Sequence, residues 1–123
     1  MTLDVSLSSL CDHLDDFRPD CTDETAMQGS IESALLDREV SFEREFSLDR
    51  TSRIDFMTPE GIGIECKVRG NPSDVFRQLA RYSEFASVRA LILFTTRARL
   101  GSLLPEELNS KPIRVITTWR NSL

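Results

Sequence analysis

The chain has 123 residues and a mass of 14.0 kDa, with 40% hydrophobic and 28% charged residues, so it holds one compact domain and has no room for two. No run approaches the roughly 18 apolar residues of a membrane span, and the start MTLDVSLSSLCDHLDD lacks the basic opening and apolar stretch of a secretory leader. The expectation is a cytoplasmic protein with no membrane partner. Three scattered cysteines (Cys11, Cys21, Cys66) and a single histidine, His13, argue against a disulfide scaffold, a Cys/His zinc site and a histidine-based hydrolase. Hydrolytic chemistry in such a chain falls to carboxylates, lysine and a hard metal.

The net charge of -5 hides an asymmetry. Residues 1–30 carry seven acids and one base, whereas from Arg50 onward twelve bases face seven acids. A polyanion responds to local potential, so the overall acidity does not exclude nucleic acid. Thirteen of the fifteen bases are arginine, which makes Lys67, inside a strand pattern, conspicuous.

Leu3, Leu7, Leu10, Leu14 and Phe17 recur at helical spacing and predict an amphipathic helix with an acidic outer face, packed on the body of the domain. Residues 1–22 read as this helix and a loop, and 23–123 as the main domain. Thr22 or Asp23 caps a second helix, with Met27, Ile31, Ala34 and Leu35 as its buried stripe. From Val40 the period changes to two. Val40, Phe42, Phe46 and Leu48 form one row of a half-exposed strand, interrupted by Arg44.

Residues 52–58 and 62–68 predict two more strands joined through Pro59-Glu60-Gly61, a type I turn closed by a left-handed glycine bulge. Asn71 caps, and Pro72 opens, a helix over residues 73–86. RALILFTT then reads as a strand buried on both faces, followed by a short helix over 103–108 and a last strand over 113–118. Trp119 reads as core or interface. The order predicts a mixed α/β sandwich with late parallel crossovers.

The hairpin implies a register in which partners sum to 120, so Asp55 lies opposite Glu65, Arg53 opposite Lys67 and Ile54 opposite Cys66. Asp55, Glu65 and Lys67 then share one face, and Ile54, Phe56, Ile62, Ile64 and Cys66 fill the other. Two opposed carboxylates repel unless a cation lies between them. A hard ion such as Mg2+, with Mn2+ as substitute, suits that pair together with the Cys66 carbonyl. Lys67 is placed to orient or deprotonate an attacking water, or to neutralise charge on a phosphate. The competing reading is an ordinary cross-strand salt bridge worth under about 1 kcal/mol.

This D…E-x-K set in its helix and meander context resembles the PD-(D/E)xK, or restriction-endonuclease-like, nuclease superfamily, over roughly residues 26–119. The resemblance implies an α/β fold with a restriction-endonuclease-like core: a mixed central sheet, an N-terminal hairpin meander and flanking helices. It also implies that Asp55 and Glu65 bind metal, that Lys67 is catalytic, and that Glu32 is the acid that many members place on the first core helix. Gln78 and Tyr82, on the inward flank of the following helix, resemble the Q-x-x-x-Y element of the RecB-type exonuclease branch. Ile54-Asp55 stands where the family often has Pro-Asp.

Arg53, Arg69, Arg97 and Arg99 are candidates for phosphate contacts, while Arg77 and Arg81 read as solvated helix charges. The sequence thus predicts a small magnesium-dependent nuclease acting on DNA, aided by a second copy or a protein partner that extends its grip. The alternatives are an inactive nuclease-fold interaction module working through a protein partner, and a structural domain whose hairpin charges are salt bridges.

Overall fold

The computed structural model describes residues 2–118. Three helices and a mixed six-stranded open sheet make a three-layer α/β domain: α1 (Leu3–Asp15), α2 (Glu24–Asp37), β1 (Glu43–Ser47), β2 (Arg53–Met57), β3 (Ile62–Lys67), α3 (Pro72–Tyr82), β4 (Ala90–Thr95), β5 (Glu107–Leu108) and β6 (Lys111–Thr117). The strands run in the order β1-β2-β3-β4-β6-β5, with β3, β4 and β6 parallel and the outer pairs antiparallel. Among the described residues no helix is long and apolar enough to cross a membrane. Trp119 lies outside the described residues.

Each helix starts where its cap allows. Thr2, Asp23 and Asn71 accept hydrogen bonds from the N–H groups of Val5, Ala26 and Asp74, which helix geometry would otherwise leave unpaired. Leu7, Leu10 and Leu14 of α1 and Met27, Ile31 and Leu35 of α2 cover one face of the sheet, meeting Phe56, Ile62, Ile64, Cys66, Ile92 and Phe94. Val75, Leu79 and Tyr82 of α3 cover the other face, against Met57, Leu91, Leu93 and Ile113. Every residue of β4 is buried, as its unbroken apolar run predicts.

The β2–β3 hairpin has the predicted register, with Phe56 opposite Ile64 and Met57 opposite Gly63. Its turn is closed by Gly61 N–H to Thr58 O and Thr58 N–H to Ile62 O, both at 3.0 Å. Gly61 has φ +90, and a Cβ there would meet the Ser87 carbonyl at 2.9 Å, so both conformation and space demand glycine.

Three expectations are corrected. No helix forms over residues 103–108. Pro105 pushes Leu104 out of the α region, and the chain instead makes a short 3-10 turn at Ala98–Gly101 and the two-residue β5. The third helix ends at Tyr82 and continues as tighter turns, with Glu84 N–H bonding to Arg81 O and Phe85 N–H to Tyr82 O.

The third correction concerns the faces of β1 and β2. Arg44 stacks over Phe56 on the α2 side, yet Phe46 and Leu48 pack on the α3 side. Likewise Phe56 belongs to the α1/α2 core and Ile54 to the α3 core. Residues two apart share a face only in a regular strand. The break lies at Glu45, whose φ of 48 is left-handed, and at Asp55 across from it, so both strands turn over at the same level.

Candidate active site

That turnover opens a fork between β2 and β3. The paired ladder runs through Met57↔Gly63 and Phe56↔Ile64, and beyond it carboxylates stand in for backbone carbonyls. Cys66 N–H donates to Asp55 Oδ2 at 2.8 Å, and Asp55 N–H donates to Glu65 Oε1 at 3.2 Å. The two acids are therefore brought together. Asp55 lies in the plane of the fork, and Glu65 lies towards α3. In a strand the N–H and C=O of one residue lie on the same side, so the Cys66 carbonyl faces the fork as well.

Glu65 is only 4% exposed. Burial, and then the charge of Asp55, push its carboxyl up to about 8 against the pull of Lys67. The Asp55 carboxyl is also raised, chiefly by burial, although the Cys66 N–H bond works the other way. Lys67 Nζ stands 3.8 Å from Glu65 Oε2 and keeps about a fifth of its side-chain surface in solvent. A groove of about 280 Å3 lined by Lys67, Arg69, Gly70, Asp74, Val75 and Gln78 reaches the amine from outside.

Gln78 and Tyr82 meet as their spacing predicts. The Gln78 amide donates to the Tyr82 hydroxyl at 2.9 Å, and the hydroxyl donates to the Arg53 carbonyl at 2.7 Å. This chain of bonds ties α3 to β2 where the fork begins. Burial raises the Tyr82 phenol, and the charge of Glu65 adds to it, so it remains a donor.

Glu32 is not gathered into the fork. Its carboxylate takes the Arg44 guanidinium at 2.7 Å, beside Gln28 at 3.0 Å. The α2 acid whose charge reaches Asp55 and Glu65 is Glu24, and its Oε1 accepts from Val68 N–H at 3.3 Å just past the end of β3. The signal was present: Glu24 lies three residues before Met27 and seven before Ile31, on the inward stripe, while Glu32 lies at its edge.

Arg53, Arg69, Arg97 and Arg99 are all exposed. Arg69 shares the groove with Lys67. Arg97 follows Thr95, the residue paired with Lys67 across β3 and β4, so it emerges at the same C-terminal end of these two strands. Among the described residues no three His, Cys, Asp or Glu side chains form a metal cage, so any ion here relies on few protein ligands. Searches against family models, curated proteins and solved structures returned no match for the chain.

Proposed function

We propose that this chain is a metal-dependent nuclease that hydrolyses phosphodiester bonds in DNA, built on a restriction-endonuclease-like core. The observation that carries this reading is the fork. A buried carboxylate and a half-buried one are brought together, at a cost that raises the Glu65 carboxyl, with an amine beside them and an open groove in front. A fold has no structural need for two adjoining acids at one point, because replacing them with apolar residues would remove the penalty.

The donors fit a hard divalent ion. Asp55, Glu65 and the Cys66 carbonyl are all oxygens, and Mg2+ commonly takes one or two carboxylates and keeps several waters. Such an ion, when bound, polarises a phosphoryl oxygen and lowers the pKa of a coordinated water. Glu24 adds negative potential from α2. Lys67 holds the attacking water or offsets charge developing on the phosphate, and its partial exposure leaves it free to do so. Tyr82 and Gln78 keep β2 at a set distance from α3, which positions Asp55. Arg69 and Arg97, with Arg53 and Arg99 further out, hold the phosphate backbone.

The test is cleavage of plasmid and of labelled linear DNA with Mg2+ or Mn2+. Lys67→Ala and Asp55→Asn should each lower the rate by ~100-fold or more. Metal-dependent cutting that both substitutions leave intact refutes the site.

A further inference from the structure

The outer edge of the sheet carries a second surface. β6 pairs with β4 along its length, but β5 covers it only at Lys111 and Pro112. Which of its backbone groups point outward follows from two bonds. Thr118 N–H reaches Thr95 O on β4, and Ile113 N–H reaches Glu106 O on the other side, both at 2.8 Å. Since direction alternates along a strand, Arg114, Ile116 and Thr118 turn their groups to β4, and Ile113, Val115 and Thr117 turn theirs away. The outward groups of Ile113 are occupied, its carbonyl by the Arg114 guanidinium at 3.0 Å. Among the described residues, nothing pairs with the outward N–H and C=O of Val115 and Thr117.

We propose that this edge pairs with the same edge of a second copy of the chain, antiparallel and centred on Ile116. That register sets Val115 against Thr117 of the other copy and Thr117 against Val115. Each pair exchanges two hydrogen bonds, so all four unpaired groups on each copy find a partner. Centring one residue earlier would set Thr117 against Ile113, whose groups are already used.

Side chains agree with this choice. Val115 is 40% exposed, and beside Thr117 of the other copy it forms a cross-strand pair of β-branched residues. Arg114 faces Thr118 and not another arginine, so no like charges are opposed. Because Glu106 holds the place opposite Ile113, the added strand pairs only from Arg114 to Thr118, and a groove of about 470 Å3 lined by Leu104, Pro105, Glu106, Ile113, Arg114 and Val115 flanks that end. An uncovered strand edge invites this form of association.

The two-fold axis of such a pair stands perpendicular to the sheet, so both α3 helices lie on the same face while the two grooves open towards opposite strand ends. The two β3 strands are five strand spacings of about 4.8 Å apart, and the forks, between β3 and β2, about six, roughly 29 Å along the continuous sheet.

The experiment is sedimentation equilibrium of the full chain and of Val115→Pro. Proline removes an N–H that points away from β4, so the native ladder and the thermal melt should be retained while self-association weakens ~10-fold or more. A second variant is independent of that assumption. Arg114→Cys with Thr118→Cys, in a Cys11→Ser background, should give an intermolecular disulfide under mild oxidation, since non-hydrogen-bonded antiparallel partners approach to about 4.5 Å between Cα atoms. A wild-type chain that stays monomeric, a Val115→Pro variant that dimerises as well as wild type, or the absence of cross-linking in the double-cysteine variant overturns the proposal.

Discussion

Replacing Glu65 with glutamine keeps the shape of the fork and removes one charge, which isolates the cost of placing two acids there. The carboxyl titrates near 4.5 in an open chain and at about 8 in the folded protein. Below about pH 4.5 both states hold the proton and the group contributes nothing. Between these values the folded state keeps a proton that the unfolded chain releases, so stability falls as pH rises. Above about pH 8 the full penalty applies. Roughly three and a half units at about 1.4 kcal/mol each place it on the order of 5 kcal/mol, and Asp55 adds a smaller loss of the same sign. Urea denaturation of wild type and Glu65→Gln, from about pH 5 to about pH 9, measures it. The variant should gain several kcal/mol relative to wild type across that range. Parallel stability curves for the two proteins would refute the idea that Glu65 is buried against another charge.

Further outcomes follow from the same geometry. Mg2+ or Mn2+ should raise the melting temperature of wild type more at alkaline than at neutral pH, because ligands bind metal deprotonated, and Asp55→Asn should abolish the shift. Glu24→Gln should slow cleavage more than Glu32→Gln. The latter should instead cost up to about 1 kcal/mol of stability by loosening Arg44, read from denaturation midpoints. Glu45→Val, although valine is the better strand former, should destabilise the domain by about 1–2 kcal/mol because a β-branched residue resists the left-handed backbone.

Much of this architecture was legible in the residues. The glycine bulge after Pro59 specified the hairpin register, and the caps at Asp23 and Asn71 marked helix starts, because these are local decisions made by a few neighbouring groups. The face change at Glu45 and Asp55 was not legible. Strict alternation assigns Ile54 to the side of Phe56, and nothing in an isolated strand reveals that its neighbour turns over with it. The position of Glu24 beside the fork, with Glu32 engaged by Arg44, is hidden for a related reason. A helical wheel shows which way each acid points, but the arrival of Arg44 beneath Glu32 depends on how β1 crosses α2. The helix expected over residues 103–108 does not form, because the residue before a proline is driven from the helical region and Pro105 follows Leu104.

The central strand β4 has a kinetic consequence. It is flanked on both sides by parallel neighbours, β3 and β6, and its partners lie far off in sequence: Ile62 with Ala90, Leu91 with Ile113. Such pairings require large loops to close before any contact rewards them, which slows the search for the native state. Once formed, the amides of Ile92 and Leu93 sit at the point furthest from any fraying end. Deuterium should enter there last, and only through global opening of the molecule.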